Sequence, residues 1–232
     1  MELKFYEVTY AMEKVGCVPQ VETIMEKPWT PIVEFVSSWD TLSDTSSIVY
    51  PLIARTLRTK FTDVLSCYNI RGSGVIISEK LKNILSEYNF GCQHQYIKVS
   101  IVTKKKEPVS TPYYYLHLPM PGVVDKINYP KSNFYEMSFA DEKVHIPIQI
   151  NSYDEERHLN DIGFKKSASY GIKVENIVFK RCTDPNMDIF VFVNNHHQRL
   201  FMVSERLKLR LERENVTGIV FVEYPYNISI DE

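Results

Sequence analysis

The chain predicts an α+β protein with mixed and antiparallel sheets and a few amphipathic helices. Three observations lead there. Short apolar runs of strand character recur along the whole chain and are densest in its second half. Segments with helical spacing stand between them. The two kinds do not alternate as a regular βαβα series, which argues against a doubly wound parallel sheet.

Taken in order, Leu3 to Tyr10 alternates well enough for a strand, and Ile32 to Val36 suits a second. From Ile48 the spacing changes. Ile48, Leu52, Ile53, Leu57, Phe61, Val64 and Leu65 recur at three- to five-residue steps and predict a helix, with Pro51 in its first turn. Arg71-Gly72-Ser73-Gly74 breaks that pattern. Val75-Ile76-Ile77 then reads as a buried strand end, and Ser78 as the N-cap of a helix that buries Leu81, Ile84 and Leu85. Asn89-Phe90-Gly91 stops it. Tyr96 to Val102 returns to strand, and Lys104-Lys105-Lys106 with Pro108 marks a solvated turn or a seam.

Tyr113 to Leu118 predicts a strand ended by Pro119. Val144 to Ile150 predicts an edge strand, because Pro147 cannot donate to a central ladder. Ile172 to Phe179 predicts another. Ile189 to Val193 and Leu200 to Val203, joined through Asn194-Asn195-His196-His197-Gln198, predict adjacent strands. A helix over 204–214 and a strand over 219–224 complete the series.

Composition narrows the function classes. The 232 residues, 44% hydrophobic, suffice for a sizeable core. Twenty-seven Lys plus Arg against 29 Asp plus Glu give a net charge of −2, so the basic footprint of a general nucleic-acid binder is missing. No basic start leads into an apolar stretch, and no apolar run nears the roughly 20 residues that span a bilayer. Cys17, Cys67, Cys92 and Cys182 lie far apart with no CxxC pair, which predicts reduced thiols and a cytoplasmic protein rather than a disulfide framework.

Two segments read alike. Residues 78–89 and 204–215 share Ser, Glu, Leu, Lys, Leu and Asn, six identities in twelve positions. Each follows three apolar residues and leads through a glycine, Gly91 or Gly218, into a β-rich stretch. Either a strand–helix–strand unit is used twice, with one domain over 1–232 divided near 103–112, or two capped amphipathic helices reuse the same residue types.

Taken as an ordered set, several motifs carry a resemblance over roughly residues 50–225. They are Thr62-Asp63-Val64-Leu65, Ser78-Glu79 with Gly91-Cys92-Gln93-His94-Gln95-Tyr96, and the Tyr113 to Leu118 strand. Val124-Asp125-Lys126 to Lys131-Ser132 follows, then Phe201-Met202-Val203-Ser204-Glu205-Arg206-Leu207 to Thr217-Gly218-Ile219-Val220-Phe221. The set resembles the immunity proteins of bacterial polymorphic toxin systems. That resemblance implies an α+β protein that binds and neutralises a cognate, co-encoded toxin by stoichiometric occlusion. It implies no cofactor, and it transfers no catalytic residue.

The residues themselves offer little chemistry. His196-His197 point to opposite sides of an extended backbone and read as turn residues. His94 and His117 stand singly, without HxH or HxxxH spacing, so no metal site is predicted. Gly72-Ser73-Gly74 lacks the lysine of a phosphate loop and reads as a turn. Asp125 and Ser132 read as loop hydrogen-bonders. Tyr153-Asp154-Glu155-Glu156-Arg157 reads as a solvated loop or helix start; its sharper reading makes Asp154, Glu155 and Glu156 a docking patch for a basic toxin. The alternative function is an enzyme with a nonlocal site, which predicts a pocket lined by His94, His117 or Cys92. Neither a membrane nor a nucleic-acid partner is expected, and the oligomeric state is left open.

Overall fold

The computed structural model describes residues 2–11, 19–23, 52–68, 74–119, 122–138, 145–166, 170–193, 199–224 and 227–231. Predicted features over Ile32–Val36, Gly72-Ser73, Cys17 and His196-His197 lie outside them. The first half contains β1 (Glu2–Leu3), β2 (Phe5–Tyr10), β3 (Val21–Thr23), β4 (Leu52–Ala54), β5 (Val64–Leu65), β6 (Cys67–Tyr68), β7 (Gly74–Ser78), helix α1 (Glu79–Leu85), β8 (Gln95–Val99) and β9 (Ile101–Val102). The second contains β10 (Tyr113–His117), β11 (Asn133–Ser138), β12 (His145–Ile148), helix α2 (Tyr153–Lys166), β13 (Tyr170–Phe179), β14 (Ile189–Val193), β15 (Arg199–Ser204), helix α3 (Glu205–Arg213), β16 (Ile219–Glu223) and β17 (Asn227–Ile230). The class is α+β, as predicted.

Four sheets stack around three cores. The outer five-stranded sheet, β1-β17-β13-β11-β12, packs through Phe134, Ile172, Phe179 and Ile228 on Phe5, Phe190 and Met202 of the sheet β14-β15-β2-β16. That sheet's other face, with Tyr6, Val191 and Val203, meets Ile77 and Leu116 of the sheet β5-β7-β10-β8. Both α1 and α3 enter this middle core through Leu81, Ile84, Leu85, Leu207 and Leu211. The second face of β5-β7-β10-β8 packs Leu65, Ile76, Ile97 and Tyr115 on Val21 and Leu52 of the sheet β6-β3-β4-β9. Strict alternation along β7, β10, β14 and β15 therefore serves two cores at once, which is why these segments read as unbroken apolar runs.

The helix predicted from Ile48 is not present over its described residues. Leu52–Ala54 is a strand with Leu52 and Ala54 buried on one face, and Val64–Leu65 is another. Between them Thr56–Arg58 turns, and Leu57 is 74% exposed. Three- to five-residue spacing summed over two short strands and a turn imitates a helical stripe. Other predictions match: β14 pairs antiparallel with β15, β12 with its Pro147 ends its sheet, and Ser78 and Ser204 cap α1 and α3. The acidic segment is the first turn of the fourteen-residue α2. Neither β11 nor β17 is foreseen; they flank β13 in the outer sheet, β11 antiparallel and β17 parallel.

Candidate functional site

The three neighbouring acids of α2 separate because successive helical residues rotate by about 100°. Asp154 is exposed. Glu155 turns back on the helix start, where it accepts from the Asn151 amide at 2.7 Å and from Asn151 Nδ2 at 3.1 Å; Ser152 Oγ in turn accepts from the Glu155 amide at 3.2 Å. This is a reciprocal cap. Glu156 points inward and is buried, with the Tyr129 hydroxyl donating to Oε2 at 3.2 Å. Burial raises its carboxyl to a pKa of about 7, against the opposing Tyr129 hydrogen bond. The same burial and the facing carboxylate push the Tyr129 hydroxyl well up. Of the three predicted docking residues, Glu155 is engaged in this cap, Glu156 is buried, and Asp154 is exposed.

Cys92 and His94 do meet, in a pocket of about 380 Å³ with Tyr88, Asn89, Tyr96 and Asp184. His94 stacks on Phe90 at 3.7 Å between centroids and meets Tyr96 edge-on at 5.6 Å. Burial lowers its pKa, and a hydrogen bond to the Cys92 carbonyl works in the other direction. Burial raises the Cys92 thiol, against the Val191 amide and Lys126. Both shifts work against a thiolate–imidazolium pair. His117 is buried in β10, stacked on Tyr115 at 5.9 Å, and does not line this pocket. No group of three or more His, Cys, Asp or Glu able to hold a metal occurs among the described residues.

A second cavity, about 260 Å³, lies in the middle core. Both halves line it in matched pairs: Leu85 with Leu211, Val75 with Phe201, and Leu118 with Tyr10. Its walls are apolar, so it offers volume rather than chemistry.

Sequence reasoning named Asp63 only within a motif and passed over Asp188; the two aspartates organise both helix starts. Asp63 Oδ1 accepts from Ser78 Oγ at 2.7 Å, while Oδ2 accepts from the Thr217 amide at 2.9 Å and its hydroxyl at 2.8 Å. Asp188 Oδ1 accepts from Ser204 Oγ at 2.6 Å, Oδ2 accepts from the Asn89 amide at 3.2 Å, and Arg206 grips both oxygens. Burial alone would raise the Asp63 carboxyl, but Ser78, Thr217 and Lys80 outweigh it and hold it below the ordinary value. The signal was present: an Asp precedes an apolar pair 15 residues before one capping serine and 16 before the other. Ser132 fulfils its predicted role, donating to the Asn128 carbonyl at 2.9 Å and accepting from the Val178 amide at 3.0 Å.

On the outside, β16 closes one end of its sheet's strand order among the described residues and displays Val220 and Val222, 38% and 48% exposed, on one face. No described helix is long and apolar enough to cross a membrane. No protein-family model matches the chain, and no curated protein matches it either.

Proposed function

We propose that the chain is an immunity protein that binds a cognate bacterial toxin in the cytoplasm and neutralises it by stoichiometric occlusion. The carrying observation is the β16 edge, the terminal strand of its sheet among the described residues, with two exposed valines side by side. Such an edge can extend its sheet with a partner's strand, and apolar side chains there add contact area. The ordered motifs support the same reading from the sequence. Asp63, Ser78, Asp188 and Ser204 hold the scaffold, which leaves recognition to residues around it. Asp154, exposed in the first turn of α2, supplies an acid for a basic partner.

The test is co-expression with the product of the adjacent gene. Growth rescue with a stable complex is the expected result, and Val222→Lys or Asp154→Lys should weaken that complex by at least tenfold while leaving the circular dichroism intact. Rescue with no complex favours the second reading, an enzyme acting in the pocket of Cys92 and His94. That reading requires Cys92→Ala or His94→Ala to abolish rescue with the fold preserved.

A further inference from the structure

The likeness between the two halves extends to single side chains and, where it breaks chain order, shows how the halves are joined. In α1, Glu79 accepts from the Tyr114 hydroxyl at 3.3 Å and Lys82 lies 4.0 Å from the centre of the Tyr114 ring. In α3, Glu205 accepts from the Tyr6 hydroxyl at 3.2 Å and Lys208 lies 4.9 Å from the Tyr6 ring. The same lysines reach one strand further, to Tyr96 at 5.6 Å and to Phe221 at 5.8 Å. Two residues after each capping serine a base meets the aspartate: Lys80 to Asp63 at 3.8 Å and Arg206 to Asp188 at 2.6 Å.

Register confirms the equivalence. Ser78 faces Tyr113 and Ser204 faces Phe5, so β2 does for α3 what β10 does for α1. The two sheets that carry α1 and α3 are wholly antiparallel in matching order, β5-β7-β10-β8 and β14-β15-β2-β16. Beyond them, β9 pairs parallel to β4 as β17 does to β13. In chain order, however, β2 stands near the start of the first half, after the two-residue β1, and β10 opens the second. Each lead strand therefore sits in the other half's sheet. The clasps cross in the same reciprocal way: Asp63 of the first half holds Thr217 after α3, and Asp188 of the second holds Asn89 after α1. Contact of i with j matched by j with i is the mark of a twofold interface.

We infer that the chain is an intramolecular strand-exchanged dimer, and that the slot between β7 and β8, or between β15 and β16, is a docking site for the lead strand of a second copy of the repeat. The committed partner is another repeat of this chain, in cis here and in trans when the link is cut. The inference rests on strand order and side-chain register, independently of the toxin-binding reading.

The exposed Lys104–Lys106 turn between β9 and β10 is the place to cut. A protease site built there is cleaved in the folded full-length protein. Fragments 1–105 and 106–232 should co-elute at the mass of the uncut chain. Glu7→Cys with Val222→Cys, partners across β2 and β16, should then join the fragments on a non-reducing gel. After separation in denaturant, fragment 106–232 refolded alone should run at twice its mass, or aggregate and be recovered on adding 1–105. Either result, followed by return of the uncut circular dichroism on mixing, supports exchange. Three outcomes would overturn it: fragments that part on a native column, no cross-link between them, or a folded monomeric 106–232 that ignores 1–105.

Discussion

At Asp188 a carboxylate loses nearly all contact with water and receives Ser204, the Asn89 amide and both arms of Arg206 in exchange. Removing it strands several donors together, so Asp188→Ala should cost about 3 kcal/mol in urea unfolding, and Ser204→Ala about 1–2 kcal/mol. Because the two share one network, the double variant should cost less than the sum. Gly218 sits at φ +90° with the Val64 carbonyl 2.3 Å from where a Cβ would be, whereas a Cβ at Gly91 would meet the flexible Met187 side chain. Gly218→Ala should therefore destabilise more than Gly91→Ala by at least about 1 kcal/mol. The capping serines were legible in the sequence, since capping is local chemistry. The inward aim of Glu156 was not, because it depends on Tyr129 arriving from another element.

At the scale of an element, α2 carries a pH dependence. The Glu156 carboxyl titrates near 7 when folded and at its ordinary value near 4.5 when unfolded. A raised folded pKa means the contribution is complete below pH 4.5 and is lost as pH rises to about 7, up to roughly 3 kcal/mol. Glu156→Gln should flatten the melting temperature between pH 5 and 7.5 and leave the protein more stable at the upper end. Asp63 has the opposite sign: its lowered carboxyl contributes above its ordinary value of 3.8 and loses that contribution as pH falls further. Asp63→Asn should blunt the loss of stability in acid, read from unfolding midpoints below pH 4. The α2 helix itself was only half visible. Its acids signalled a helix start, but its length follows from packing on β13.

For the whole molecule, the middle core ties the halves together through two helices that face one cavity. Leu85→Ala and Leu211→Ala enlarge that cavity from equivalent positions, so each should cost about 2–5 kcal/mol and lower a single cooperative transition rather than split it. Two separated transitions in calorimetry would show the halves to be independent folding units. Reciprocal exchange of β2 and β10 predicts the single one, since neither sheet is complete without a strand from the other half.

Local chemistry in the sequence determined the α+β class, both Ser-capped helices, the β14–β15 pairing and the edge position of β12. Each depends on residues close together in the chain, where spacing and capping act directly. Tertiary structure decided the rest. It turned the apparent helix from Ile48 into strands, because Leu52 and Leu65 bury into a sheet rather than along a stripe. It divided three adjacent acids among a cap, a core and the solvent. It also placed each lead strand in the opposite half's sheet, and periodicity along a chain does not encode the partner a strand finds across it.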